Sequence, residues 1–166
     1  MLVVSNTSPI LNLALIDRLS LMQEQFTTVT IPRGVLGELR VGENSPGSKK
    51  ILDALDSKWL QVEEVQDSAI LRIIKRELDA GEAEAIALVL ENRAEWVLLD
   101  ETEARRIAKD LGLKVTGVLG ILLRACCQKR IPSLRTEMER LREKAGFYIS
   151  DHLFEDLLKQ TQSFKD

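Results

Sequence analysis

The chain is poor in the residues that most often carry chemistry by themselves. Its 166 residues include two cysteines, one histidine, four prolines and 4% aromatics. Cys126 and Cys127 are adjacent inside an apolar stretch, which is no disulfide framework, and the expected location is the reducing cytoplasm. His152 stands alone, so neither a zinc site nor a histidine-activated nucleophile is expected. No apolar run approaches the ~20 residues of a membrane span. Asn6 and Asn12 interrupt the apolar N-terminal run, which argues against both a signal peptide and a membrane partner. Gly-rich phosphate loops, G-x-S-x-G elbows and paired-cysteine motifs are missing as well. A net charge of −3 provides no overall basic field for nucleic acid, although a local patch can still serve.

What is present describes an ordinary globule. Apolar residues make up 45% and charged residues 30%, and the length fits one domain, 1–166, burying roughly 70% of its unfolded surface. Periods of two and near 3.6 alternate along the chain. Strand-like runs are Leu2–Ser5, Thr27–Ile31, Leu60–Val65, Trp96–Leu99 and Lys114–Thr116. Between them, Ser8 is expected to cap a helix with Pro9 at its first position, and Pro32 to start another. Helical patterns continue near Leu52 and Leu55, then over Ile70–Leu78, Ala80–Asn92 and Val118–Lys129, Ser133–Lys144 with Gly146 as its stop, and Asp151–Gln160. Asp79-x-x-Glu82 and Asp100-x-x-Glu103 have the spacing of capping boxes. The alternation predicts an α/β fold with a mostly parallel sheet covered on both faces, the helices from about 133 packing on it.

In such a sheet, ligands bind beyond the carboxyl ends of the strands. Three strands end there at Asn6, at Ile31-Pro32 and at Asp100. Glu38, two turns into the helix after the second strand, and Glu82, in the first turn of its helix, can point toward the same edge. Glu38, Glu82 and Asp100 are therefore candidates to meet, with Glu101 and Glu103 close behind. Oxygen-rich acidic clusters suit Mg²⁺ or Mn²⁺, which can orient a water and stabilise charge developing on a phosphodiester. Capping is the competing reading for Glu82, Asp100 and Glu103, and turn hydrogen bonding for Asn6. Arg105, Arg106 and Lys109 lie together on one helix, where they either touch phosphates or form a solvated face.

The stretches "VVSNTSPILNLALI", "VTIPRGVLGELR", "DAGEAEAIALVLE", "WVLLDETEARRIAKDLGLKVTGVLGILLRA" and "AGFYISDHLFEDLL" occur in an order that resembles the PIN-domain superfamily. Within it they are similar to an uncharacterised prokaryotic branch related to toxin ribonucleases of toxin–antitoxin pairs. That resemblance implies a three-layer α/β/α domain with Mg²⁺- or Mn²⁺-dependent endoribonuclease activity on single-stranded or structured RNA, leaving 5′-phosphate and 3′-hydroxyl ends. It also implies a small antitoxin protein as partner and a homodimer. By position, Glu38 of "GELR" resembles the family's second acid. Glu82 of "GEAEA" resembles the third, with Glu84 as alternative, and Asp100 of "LLDETEAR" the fourth, with Glu101 or Glu103 as substitutes. The first position, usually Asp, is Asn6 here; it keeps an acceptor oxygen for a metal and loses a full charge. A second reading follows from Asn6: a catalytically silent PIN-like module that binds protein or RNA without cutting.

Overall fold

The computed structural model describes residues 1–163; the last three positions of the expected 1–166 unit lie outside the described residues. Five short strands are present: β1 (Val3–Ser5), β2 (Val29–Pro32), β3 (Leu60–Glu63), β4 (Trp96–Leu98) and β5 (Lys114–Thr116). They form one sheet in the order β3-β2-β1-β4-β5, and every pairing is parallel. The α/β expectation thus holds. β2 starts later than its sequence pattern because Thr27 takes a positive φ of 68° at the end of the preceding helix, a conformation a strand cannot include.

The helices are α1 (Thr7–Leu15), α2 (Ser20–Phe26), α3 (Arg33–Leu39), α4 (Ser48–Asp56), α5 (Ala69–Ile74), α6 (Ala80–Asn92), α7 (Thr102–Asp110), α8 (Val118–Cys127), α9 (Leu134–Lys144) and α10 (Asp151–Gln162). α2 has no counterpart among the sequence-derived elements: it is seven residues long and no side chain caps it. The patterns over Ser133–Lys144 and Asp151–Gln160 correspond to α9 and α10, each capped by a serine, Ser133 and Ser150. Ser8 does not cap α1. The helix begins at Thr7, with Asn6 before it, so Ser8 and Pro9 are its second and third residues. Pro9 is tolerated there because the first four N–H groups of a helix have no intrahelical acceptor.

Strand alternation divides the core. Val3 of β1 joins the larger apolar cluster, shared with α1, α2, α4, α8, α9 and α10. Its neighbour Val4 joins the smaller one, built with α5, α6 and α7. Successive side chains of a strand point to opposite faces, so these two adjacent valines mark a sheet sandwiched between two helical layers. Chain order runs outward from β1 in both directions, which makes the carboxyl end of β1 the topological switch point of the sheet.

α9 is fastened to the loop after α1 by an ion pair. Arg18 Nη2 lies 2.8 Å from Glu137 Oε1, and Glu137 is only 1% exposed. Removing one partner of a buried pair strands the other charge, at a cost of about 3–5 kcal/mol. Arg18→Ala is expected to lose stability toward the lower end of that range, ~3 kcal/mol, because Arg18 is partly solvated and Arg140 lies 3.4 Å from the same oxygen. A urea denaturation midpoint unchanged from wild type would contradict this.

Candidate active site

The register brings three chain segments level at the switch point. Ser5 pairs with Leu98, and Leu98 with Thr116. Just beyond, the Asn6 amide donates to the Leu98 carbonyl at 3.0 Å and the Leu99 amide to the Thr116 carbonyl at 2.8 Å. Asn6, Asp100 and Gly117 therefore leave the sheet together.

Asp100 is held on both oxygens. The Ser8 hydroxyl donates to Oδ2 at 2.7 Å, and the Val118 amide donates to Oδ1 at 2.8 Å. Asn12, one turn on from Ser8, donates to the Ser8 hydroxyl at 2.9 Å, which aims the serine proton at the carboxylate. The expected Asp100–Glu103 capping box does not form. Glu101 occupies the cap position of α7 with no side-chain bond, and Glu103 pairs with Arg106 on the same helix. Asp100 satisfies the first turn of α8 instead. Burial raises its pKa, while Ser8, the Val118 amide, Arg105 and Asn12 act in the opposite direction.

Glu38 reaches the same turn of α1 from the other side: the Thr7 hydroxyl donates to Glu38 Oε2. Its carboxylate lies flat against Gly81, where a Cβ would come within 2.6 Å of Oε1. The contact is reciprocated along the α3–α6 interface, since a Cβ on Gly34 would lie 2.2 Å from Glu84 Oε2. Glu84 thus faces the start of α3, with Lys75 Nζ 3.9 Å away, whereas Glu38 faces the start of α6. Two consecutive hydroxyls, Thr7 and Ser8, tie the carboxylates of Glu38 and Asp100 to one helical turn.

Glu82 caps. Its amide donates to Asp79 Oδ1 at 2.9 Å and its own Oε1 accepts from the Asp79 amide at 3.4 Å, the reciprocal box expected from the sequence. The other oxygen, Oε2, is buried without a hydrogen-bond partner, as is Oδ1 of Asn6. Burial first, and then the neighbouring charge of Asp79, push the Glu82 pKa up to about 7. Asn6 itself is 5% exposed.

The donor set suits a hard divalent cation: it is all oxygen, and two buried acceptors have no donor. Glu38 and Asp100 are each linked to α1 and Glu82 to Asp79, rather than drawn onto a single point. Among the described residues no three acidic, histidine or cysteine side chains stand close enough to hold one ion. Asn6, which directly precedes the two hydroxyl residues in the chain and carries an unsatisfied oxygen, is the neutral ligand such a site could use. Thr7, Ser8 and Asn12 went unrecognised in the sequence as residues that hold acids. Their signal is the Ser8–Asn12 spacing of four within "NTSPILN", which also fits simple capping.

An all-parallel sheet whose switch point gathers acids and hydroxyls places the protein among α/β domains with an acidic site at the carboxyl edge. A family model described as PIN domain matches residues 2–163, and the chain belongs to that family. PIN domains form a nuclease-type superfamily that acts on nucleic acid and generally depends on divalent metal. A comparison with curated proteins finds no match.

Two outcomes follow from this geometry. A Cβ on Gly117 would lie 2.4 Å from Asp100 Oδ1 and 2.7 Å from the Leu99 carbonyl oxygen, so Gly117→Ala is expected to cost about 1–3 kcal/mol as the backbone shifts. A urea midpoint equal to wild type would refute it. For Glu82, the folded value of about 7 lies above the ordinary 4.5, so binding a proton favours the folded state. That contribution is complete below the ordinary value and disappears as pH rises through the folded one. In EDTA, wild type should lose stability relative to Glu82→Gln between about pH 5 and pH 8; parallel stability curves would contradict the assignment.

Proposed function

We propose that this protein is a metal-dependent endoribonuclease that hydrolyses RNA phosphodiesters at the carboxyl edge of β1 and β4. The observation that carries the reading is the paired clasp of Thr7 on Glu38 and Ser8 on Asp100, which ties two separated acids to the turn that follows Asn6, whose buried oxygen has no donor. Asn6, Glu38, Glu82 and Asp100 would hold Mg²⁺ or Mn²⁺; Glu38, Glu82 and Asp100 form the catalytic set. When bound, such an ion supplies charge stabilisation at the phosphate and lowers the pKa of an attacking water.

The chain's own groups do the rest. Asn12 and Ser8 fix the orientation of Asp100, so that its remaining lone pairs face the edge rather than rotate freely. The Val118 amide prevents the carboxylate from turning away. Thr7 does the same for Glu38, and Gly81 lets that carboxylate sit at the start of α6. Glu82, whose buried Oε2 has no donor, would give that oxygen to the ion. Water adds to phosphorus as the bond to the 3′ oxygen breaks, leaving a 5′-phosphate and a 3′-hydroxyl.

The finer reading is a toxin component of a toxin–antitoxin pair, cytoplasmic, homodimeric and restrained by a small antitoxin protein. It is supported by the order of the five sequence stretches given above. The second reading, a silent binding module, is favoured by the neutral Asn6 at the position where these nucleases usually carry Asp and by the chain's net charge of −3.

The test is cleavage of mixed single-stranded RNAs with Mn²⁺ by wild type, Asp100→Asn and Asn6→Asp. Wild-type cleavage falling at least about a hundredfold in Asp100→Asn is expected, the scale set by losing one group that stabilises the transition state. Cleavage by Asn6→Asp alone would establish the silent module, and cleavage untouched by Asp100→Asn would overturn the site.

A further inference from the structure

Asp100 lines one part of a cleft of about 630 Å³ that extends away from Glu38 and Glu82, neither of which lines it; the size falls within the roughly 300–1,000 Å³ of ordinary ligand sites. One wall is a single face of α7: Thr102, Arg105, Arg106 and Lys109, spaced i, i+3, i+4 and i+7 so that all four project together. Their cations differ in availability. Arg106 is spent on Glu77, Glu103 and Asp110. Arg105 gives Nη1 to the Leu99 carbonyl at 2.9 Å, and neither it nor Lys109 has a carboxylate within ion-pair distance among the described residues. The opposite wall is apolar, from Phe147, Leu153 and Leu157. Leu153 is 40% exposed, and Tyr148, which follows Phe147, is 85% exposed in a chain with few aromatics. The floor is kept open by glycine: a Cβ on Gly120 would meet Thr116 Oγ1 at 2.1 Å.

A cationic wall facing an apolar wall matches the two sides of a nucleotide, the phosphate and the face of the base. A purely apolar peptide would leave Lys109 without counter-charge, and a purely electrostatic ligand would leave the exposed Leu153 unused. We propose that this cleft is the subsite for the nucleotide beside the cleaved phosphodiester of single-stranded RNA, with Arg105 and Lys109 on its phosphate and its base against Phe147 and Leu153. The proposal rests on the nuclease reading for the identity of the ligand, not for the existence of the subsite. It gives the helices α7 and α10 a shared role, since the cations come from one and the apolar contacts from the other and its leading loop. It also gives an acidic protein a local grip on a polyanion: Arg105 and Lys109 share one face of α7, and Asp100 is the one acid among the residues that line the cleft.

The test is fluorescence anisotropy of the full chain in EDTA with a labelled oligoribonucleotide of about ten residues, a length within the site sizes such grooves cover. The variants are Lys109→Gln and Leu153→Glu, both at surface positions, and Phe147→Leu, which keeps apolar volume and removes the ring. Each variant is expected to weaken binding by about fivefold or more while its thermal midpoint stays near wild type. Lys109→Gln should also reduce the slope of log affinity against log salt by about 0.7, the loss of one phosphate contact on a single strand. Phe147→Leu should narrow the difference between the oligonucleotide and its abasic counterpart. Binding that meets these expectations without Mn²⁺-dependent cleavage supports the subsite and removes the nuclease reading. Cleavage by wild type with affinity and salt slope unchanged in all three variants overturns the subsite and leaves that reading intact. No RNA binding by folded wild type, or capture of an acidic peptide in its place, overturns the subsite as well.

Discussion

The arrangement depends on two adjacent side-chain hydroxyls. Thr7 and Ser8 occupy the first turn of α1, directly beyond the central strand, and each takes a carboxylate from a different part of the chain. Neither bond is exceptional in strength, since a hydrogen bond to a charged group contributes about 1.5–3 kcal/mol. Their importance is positional. β1 is the strand from which the sheet grows in both directions, so the turn that follows it is the one place adjacent both to α3, through β2, and to the β4–α7 junction. Acids separated by more than sixty residues in sequence are referred to one rigid turn.

The same turn explains why several ordinary residues are what they are. Gly81 and Gly117 are each pressed against a carboxylate of the candidate site, so a methyl group at either position would displace an acid or a backbone carbonyl. Asn12 orients Ser8, and the α8 amide at Val118 completes the shell of Asp100. At Asp100 these contacts use the protein's own donors to stabilise negative charge in a partly buried place, whereas Glu38 stays exposed to solvent. Of the four buried side-chain acceptors without a donor among the described residues, those of Asn6 and Glu82 belong to the candidate site, and those of Gln25 and Glu137 do not.

Much of the architecture was legible in the sequence because it is written in periodicity. The five strand-like runs correspond to the five strands, and the α6 pattern of Ala80–Asn92 matches its helix to the residue. The Asp79–Glu82 box formed because both partners are local. Asp100–Glu103 has identical spacing and did not, because Asp100 found the Val118 amide eighteen residues away. Local spacing cannot register a competitor that arrives through tertiary folding. Ser8 misleads for the same reason: as a capping residue it is a good candidate, yet its hydroxyl is taken by Asp100. α2 lacked a cap and is too short for its period to emerge. Arg105, Arg106 and Lys109 were visible as a basic group, but nothing in the linear order sets Phe147 and Leu153 opposite them.

The bond between Ser8 and Asp100 also has a bearing on synthesis. It spans ninety-two positions, and the Val118 amide that completes the shell lies further still along the chain, so the site combines groups synthesised far apart in time. At ~5–20 residues per second, the β1 segment waits several seconds on the ribosome before its partners exist. Until α8 emerges, the acids have no common frame. The edge is therefore incomplete in the nascent chain until α8 has left the exit tunnel.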